Sequence, residues 1–379
     1  MMHILIAPNA FKNSLTAQAA AEALSQGFKQ SSLACTTECF PIADGGDGTA
    51  QLIISKLNGR IIPVTVQDPL GRMIDTSFGL VDNGLTAVIE MADAAGLRLL
   101  KQNELNPMRA TSYGTGQMMK KALDMGVKKI VIAMGGSATV DGGTGILTAL
   151  GVKFLSNNNI ELTDLPESLN QLERIDLTNL DARIAHCEIV VLCDVDNELL
   201  GDAGAAAVFG PQKGATPGGV KLLNEGLTQL SRVTFKELNT DMAAIKYGGA
   251  AGGASAGVYA YLNARLVNGI DYFMDITGFD SALAGANLVI TGEGSIDEQT
   301  LQGKGPFGVA NRAIATSIPV IGIAGKIPLE YNEKLSRYFK VLLAIGNEPT
   351  DIPTALNRTE ENLKRMAKQI GEMLQISNA

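Results

Sequence analysis

The chain of 379 residues has a formal net charge of −8, with 46% hydrophobic and 18% charged residues, four cysteines and two histidines. This composition predicts a water-soluble protein of about two domains. It argues against a nucleic-acid partner, a membrane span, a zinc site and a histidine-based hydrolase. The short apolar run before Pro8 and Lys12 is too brief for a signal peptide, so we expect a cytoplasmic protein with reduced cysteines.

A strand–loop–helix unit is predicted at the start of the chain. Residues 3–8 are a short apolar strand candidate, and a helical pattern runs from residue 16 to about residue 30. The loop between them contains Lys12, Asn13 and Ser14, of which the last two are also competent helix N-caps. Because α/β proteins bind ligands at the carboxyl ends of their strands, these loop residues are candidate substrate contacts.

A second unit of the same kind has an acidic loop. Residues 35–40 predict a strand and residues 49–57 a helix, and the loop between them carries Asp44 and Asp47. This acidic pair faces a ligand or caps the following helix, and the sequence leaves both readings open. After residue 60 the pattern changes to short alternating segments, which predict antiparallel pairing. The strands are expected at 61–66, 76–81 and 86–89, with turns at 68–71 and 82–84.

Glycine-rich loops recur through the middle of the chain, next to predicted strands or helices. They are Gly135–Gly145 with Ser137, Cys193–Asn197 with Asp194, Phe209–Gly214 with Lys213, and Tyr247–Gly257 with Gly252 and Gly253. Glycine lets backbone N–H groups approach a ligand closely, although close packing of the backbone explains the same residues. None of these loops matches a P-loop or a dinucleotide fingerprint, so a bound nucleotide would be held by another scheme.

The last third of the chain returns to α/β alternation. A strand at 287–290 leads into a predicted loop, Thr291–Pro306, with four glycines and the charged residues Glu293, Asp297 and Lys304. Carboxylates beside a lysine are suited to a metal cation and a phosphate, and a solvated turn is the alternative. The remaining elements are expected as helix 307–315, strands 319–324 and 340–344, and an amphipathic helix 354–374.

The α/β pattern at both ends of the chain therefore predicts that the two ends fold together into one domain. We expect residues 1–60 plus 286–379 to form a discontinuous, Rossmann-like parallel α/β domain. Residues 61–285 are expected to form an inserted, mixed α/β domain, with the active-site cleft between the two.

Over nearly its whole length the chain closely resembles the type-1 bacterial glycerate kinase family. The resemblance rests on Ile6–Ser14, Ala43–Gly48, Gly135–Gly143, Cys193–Asn197, Phe209–Gly214, and Thr291–Ser295 with Asp297. It implies ATP-dependent phosphorylation of D-glycerate, a requirement for Mg²⁺ and a two-domain α/β fold. We expect 2-phosphoglycerate rather than 3-phosphoglycerate as the product, and a homodimer is compatible with the sequence. A non-catalytic regulatory protein that binds a phosphometabolite is the main alternative, and a phosphate-ester hydrolase is a third reading.

Phosphoryl transfer needs a phosphate loop, carboxylates for the metal, a cation and a group that orients the acceptor. The catalytic candidates are Asp194, Asp297, Lys12 and Lys304, with Asp194, Asp297 and Glu293 around the metal. The nucleotide candidates are Gly135, Gly136, Ser137, Gly252, Gly253 and Lys213, and the sequence does not decide which of the two glycine loops holds the phosphates. Lys12, Lys213 and Lys304 are expected to neutralise phosphate charge, because neighbouring glycines or small polar residues keep a flexible lysine stem accessible. The substrate candidates are Asn13, Ser14, Asp44, Asp47 and Arg72, with Arg109 as a second choice for the carboxylate of glycerate.

Overall fold

The structure, a computed structural model, describes residues 1–330 and 332–377. The strands are β1 (Met2–Ile6), β2 (Cys35–Cys39), β3 (Arg60–Gln67), β4 (Met73–Val81), β5 (Thr86–Glu90), β6 (Lys129–Ala133), β7 (Lys153–Leu155), β8 (Arg174–Asp176), β9 (Glu188–Cys193), β10 (Arg265–Asn268), β11 (Leu288–Ser295), β12 (Val320–Lys326) and β13 (Val341–Ala344). The α-helices are α1 (Ala17–Lys29), α2 (Thr49–Lys56), α3 (Ala92–Ala95), α4 (Tyr113–Asp124), α5 (Thr144–Ala149), α6 (Ala205–Phe209), α7 (Pro217–Leu238), α8 (Ala254–Leu262), α9 (Gly269–Thr277), α10 (Phe279–Leu283), α11 (Gly305–Ala315), α12 (Glu333–Ser336), α13 (Ile352–Asn357) and α14 (Thr359–Ser377). Within the described residues, no helix is long and apolar enough to cross a membrane.

The first compact unit is built from both chain ends, Met1–Asp44 with Ile270–Ala379. Its five strands are parallel, in the order β13-β12-β11-β1-β2. The inner strands are apolar because helices cover the sheet, and Ile6 and Ile290 are fully buried in its core. In this topology β1 and β11 are neighbours, so the loops that follow them lie at the same edge of the sheet.

The second compact unit is the continuous segment Gly45–Gly269. Its six-stranded sheet has the order β10-β9-β6-β5-β4-β3, in which β10, β9, β6 and β5 are parallel and β4 and β3 antiparallel. β7 and β8 form a separate antiparallel pair. The loops after β5, β6 and β9 therefore leave the same edge of the larger sheet.

The predicted fold class is confirmed, with one parallel α/β unit formed by both chain ends and one mixed α/β unit. The bounds of the units differ from the predicted domains, 1–60 plus 286–379 and 61–285. Helix α2 packs against β4 and β5 and so lies in the second unit. At the other boundary, the Phe279 ring packs edge-on against Phe40 at 5.2 Å, and residues from Ile270 onward belong to the first unit.

Three local predictions are wrong. The segment Thr291–Ser295 continues β11 rather than forming a loop, because it pairs with β12 and Gly292 permits a close approach to Ile323 that a Cβ would block. The helix expected at 354–374 is interrupted at Arg358, whose ψ of 5° lies outside the helical range. The loop expected at Tyr247–Gly257 ends earlier, because α8 begins at Ala254 after Gly253, whose φ of 86° ends the preceding turn.

Candidate active site

Four charged side chains form an acid–lysine cluster in the first unit. The cluster consists of Asp44, Glu293, Lys12 and Lys304, and Glu293 lies near the carboxyl end of β11. The pKa of Glu293 is raised to about 7, mainly by burial and also by Asp44, while Lys304 and Lys12 act in the opposite direction. The Thr300 hydroxyl donates a hydrogen bond to Glu293 Oε1 at 3.1 Å. A half-buried carboxyl is thus held among charges of both signs.

Asp44 is fixed beside the first turn of α11. Asn9 Nδ2 donates to Asp44 Oδ2 at 2.8 Å, and the Gly305 backbone N–H donates to the same oxygen at 3.3 Å. Gly305 is the first residue of α11, where the helix dipole favours a negative charge. These contacts hold an Asp44 carboxylate near Glu293, although the two residues are far apart in the sequence.

The other predicted residues of the first unit have local partners. Asp297 caps the turn Glu298–Gln302, since its side chain accepts from Gln299 N at 2.9 Å and its N–H donates to Thr300 Oγ1 at 3.2 Å. Ser14 Oγ donates to the Leu356 carbonyl at 2.6 Å, and Asn13 is exposed with φ of 63°. The structure therefore gives Asp297 and Ser14 roles in holding turns.

Three glycine-rich segments of the second unit are packed together. We call Gly45–Gly48, Gly135–Gly143 and Gly249–Gly253 the glycine loops. Gly135 N donates to Gly45 O at 2.9 Å, and Gly142 N donates to Gly252 O at 3.1 Å. The sequence left two of these loops as alternatives for the nucleotide phosphates, and the structure places them side by side.

Glycine is required where these loops meet. Gly252 has φ of 68°, and a Cβ there would clash with the Thr139 carbonyl. Gly136 has φ of 70°, and a Cβ there would clash with the Asp47 carboxylate. Gly253 and Gly143 also have positive φ. Left-handed glycines of this kind turn successive backbone N–H groups toward one side, which suits anion binding.

Lys213 is buried next to the second glycine loop. The residue is only 3% exposed, and its Nζ donates to Ser137 Oγ at 2.9 Å and to Thr139 O at 2.7 Å. Burial lowers the pKa of Lys213 to about 7, while Asp141 and Asp194 act to raise it. The sequence predicted an accessible cation on a flexible stem, whereas the structure shows a buried group bonded to the loop.

Asp141 and Asp194, the two acidic neighbours of Lys213, differ in burial. Asp141 is fully buried, and its carboxylate accepts from Ser112 Oγ at 2.6 Å and from Gly143 N at 3.0 Å. Asp194 follows β9 and is half-buried. Asp194 thus belongs to the second unit, while Glu293 and Asp297, which the sequence grouped with it around a metal, belong to the first.

An acidic group at the end of β5 was not predicted from the sequence. Glu90 is 3% exposed, and its carboxylate accepts from Gly48 N at 2.9 Å and Ala50 N at 3.2 Å, which caps α2. Burial is the main cause that raises the pKa of Glu90 to about 7. Asp93 lies close enough to Asp47 for that carboxylate to raise its pKa, although burial is the larger cause. The available signal was a glutamate directly after the predicted strand 86–89.

The predicted carboxylate-binding arginine is already paired. Arg72 Nη1 lies 2.7 Å from Glu104 Oε1, and its Nε lies 2.5 Å from Asp68 Oδ2. Hydrogen bonds to these two carboxylates raise the pKa of Arg72. Arg109 is exposed. Neither arginine has a geometry that singles it out as the substrate contact.

The carboxylates of the first unit suit a magnesium ion that takes only some of its ligands from the protein. Across residues 1–330 and 332–377, no three His, Cys, Asp or Glu side chains are grouped so as to hold a metal. Mg²⁺ in kinases commonly takes one or two carboxylates and fills its octahedron with waters and substrate phosphates. Asp44 and Glu293 supply such a pair, next to two lysines suited to phosphate.

Comparisons with known proteins agree along the whole chain. A family model described as "Glycerate kinase family" matches residues 4–375. The chain is 41% identical to a protein named Glycerate kinase from Bacillus subtilis (strain 168), over 99% of this chain and 98% of the relative. It is 39% identical to the Glycerate 2-kinase of Escherichia coli (strain K12), over 99% of this chain and 98% of the relative. A crystal structure from Salmonella typhimurium LT2, whose description names glycerate kinase 2, has a TM-score of 0.83 and 39% identity, and the match covers 100% of this chain and 99% of that one.

Proposed function

The chain belongs to the glycerate kinase family and is an ATP-dependent kinase, and we propose that it phosphorylates D-glycerate to 2-phosphoglycerate with Mg²⁺. The observation that carries this function is the full-length similarity to relatives named as glycerate kinases. The 2-position is supported by the relative named Glycerate 2-kinase. Nothing in the structure or the comparisons favours the non-catalytic regulatory alternative.

The glycine loops of the second unit are assigned to the nucleotide phosphates. The loops carry left-handed glycines, which turn backbone N–H groups toward one side. Gly135–Gly143 follows β6 at the carboxyl edge of the parallel strands, where such ligands bind. Gly135, Gly136 and Ser137 belong to one loop, and Gly252 and Gly253 to its neighbour. Both predicted loops therefore contribute to one site.

The acid–lysine cluster of the first unit is assigned to the metal and the transferring group. Asp44 and Glu293 would hold Mg²⁺, which when bound neutralises charge on the phosphate oxygens. Lys304, next to the first turn of α11, and Lys12 are placed to attract the negatively charged phosphoryl group. In phosphoryl transfer the protein mainly positions the reactants and neutralises charge, and these residues suit that task.

The proposed reaction is tested by mixing purified protein with Mg-ATP in the presence and absence of D-glycerate. We expect ADP release that depends on glycerate, and a product identified by NMR as 2-phosphoglycerate. Formation of 3-phosphoglycerate would overturn the regiochemistry alone. Thermal stabilisation by the ligands without ADP release would favour the regulatory reading. Release of phosphate from a phosphate ester without ATP would indicate a hydrolase.

A further inference from the structure

In the buried hydrogen bond between Lys213 and Ser137, the lysine is the donor and the serine oxygen is the acceptor. A lysine ammonium group has three hydrogens to donate and no acceptor, so Ser137 Oγ accepts the 2.9 Å hydrogen bond. The carbonyl of Thr139 accepts a second one at 2.7 Å. The residue after Lys213, Gly214, has φ of 97° and packs against the Leu105 backbone, where a Cβ would clash. This close packing fixes the backbone from which the Lys213 side chain starts.

Two hydroxyl groups of this loop still have a hydrogen to donate. In the described part of the chain, the Ser137 hydroxyl makes no hydrogen bond except the one that it accepts from Lys213. Thr139 is fully buried, and its Oγ1 has no hydrogen-bond partner among the described residues. A buried polar group without a partner destabilises the fold, because it loses its hydrogen bonds to water. Such groups in native structures often mark a place where a ligand or water completes the hydrogen bonds.

We propose that Lys213 is a positioning residue that orients and polarises the Ser137 hydroxyl, which donates a hydrogen bond to a phosphate oxygen of the nucleotide. This inference rests on the proposed function, because it assigns Gly135–Gly143 to the nucleotide. Lys213 then acts on the phosphate through Ser137 rather than by direct contact. A hydroxyl that accepts from a cation is a stronger donor, since successive hydrogen bonds polarise one another.

The charges around Lys213 predict that it takes up a proton when nucleotide binds, which a purely structural lysine would not do. The acidic groups that act on its ammonium are Asp141 and Asp194, and the Phe209 ring lies 5.9 Å from Nζ. The pKa of Lys213 is lowered to about 7 by burial. A phosphate bound at Ser137 adds negative charge and raises this pKa, because an opposite charge favours the charged form. Binding of nucleotide near neutral pH is therefore accompanied by uptake of a proton.

The test is a double-mutant cycle with Ser137→Ala, Lys213→Met and the combination. Calorimetric titration with Mg-ADP, in buffers of different ionisation enthalpy, gives the affinity and the number of protons taken up. We expect each single variant to weaken Mg-ADP binding by about tenfold or more, as for a hydrogen bond to a charged group. The double variant is expected to be no weaker than the worse single variant, because both remove one unit. Proton uptake is lost in Lys213→Met and kept in Ser137→Ala, while the KM for D-glycerate is unchanged.

Matched controls keep the inference falsifiable. Ser137→Thr retains the hydroxyl and is expected to restore affinity relative to Ser137→Ala. The comparison of Ser137→Ala with Ser137→Thr decides the matter even if Lys213→Met does not fold. Additive losses in the cycle, an unchanged proton count in Lys213→Met, or equal affinity of the alanine and threonine variants would each overturn it. Failure of the proposed function itself is seen separately, as absence of glycerate-dependent ADP release by the unmodified protein.

Discussion

The two units present their polar groups in different ways. In the first unit the candidate site is made of side-chain charges, Asp44, Glu293 and two lysines, at the ends of strands and beside a helix. In the second unit it is made of backbone, where the loop Gly135–Gly143 bonds to the other two glycine loops and accepts hydrogen bonds from a buried lysine. The first site should therefore be sensitive to loss of charge at constant shape. The second should be sensitive to added bulk at constant charge.

The largest effect is expected from Glu293→Gln, which removes a charge and keeps the shape. Because the carboxylate is assigned to the metal, we expect kcat to fall by on the order of 10²–10³-fold, as for the loss of one preorganised electrostatic contact. Steady-state kinetics and a thermal melt measure turnover and folding separately. Glu298→Gln is the matched control, since its exposed carboxylate pairs, among the described residues, with Lys334 and Asn332. A loss below about tenfold in Glu293→Gln would remove Glu293 from the reaction.

Gly252→Ala tests the second unit by adding one methyl group. The residue has φ of 68° and lies against the Thr139 carbonyl, so alanine must displace the neighbouring loop. We expect a stability loss of about 2–4 kcal/mol from strain and overpacking, with a raised KM for ATP. Gly126→Ala is the control, since its φ is 79° with no atom within 4 Å of the added Cβ, and it should cost about 1–2 kcal/mol. Equal melting temperatures and equal KM values for the two variants would contradict the importance of the loop contact.

A pH series on Lys213→Met tests whether the buried lysine is as desolvated as its surroundings imply. The pKa of Lys213 is about 7 in the folded protein, against an ordinary value of 10.5. Between these values the unfolded chain binds more protons than the folded one, so this group makes stability rise with pH and costs most below pH 7. The melting temperature of Lys213→Met relative to the unmodified protein should therefore be highest near pH 7 and fall toward pH 10. A difference that does not change with pH would show that the lysine is solvated.

The smallest effect is expected from Asp297→Asn, which tests whether the Asp297 carboxylate only caps the turn or also acts on the ligand. Asparagine caps as well as aspartate does, so turnover should stay within a few-fold and the melting temperature should hardly change. Asp297→Ala should cost about 1 kcal/mol of stability through loss of the cap. Urea unfolding and steady-state assays measure both variants. A loss of turnover above about a hundredfold in Asp297→Asn would reinstate the catalytic role predicted from the sequence.

Local pattern was sufficient to predict most of the strands, the glycine loops and the presence of two α/β units. It did not predict which side chains meet. Asp44 and Glu293 come together because β1 lies between β2 and β11, and the order of strands in a sheet leaves no periodic trace in the sequence. Lys213 was expected to be accessible because glycine and polar residues flank it, whereas tertiary packing buries it. Glu90 was not predicted as a site residue because it ends an apolar strand, where the pattern predicts core residues.

The discontinuity of the first unit has a consequence for synthesis on the ribosome. The segment Gly45–Gly269 is continuous and contains every strand of its own larger sheet, so it can fold while translation proceeds. The amino-terminal strand β1 is made first, yet its neighbour β11 emerges only after that whole segment. During this time the apolar residues Ile4, Leu5 and Ile6 of β1 lack the strand that they pack beside in the folded protein. A truncated chain released before β11 lacks Glu293, so the carboxylate pair exists only in a polypeptide that is nearly complete.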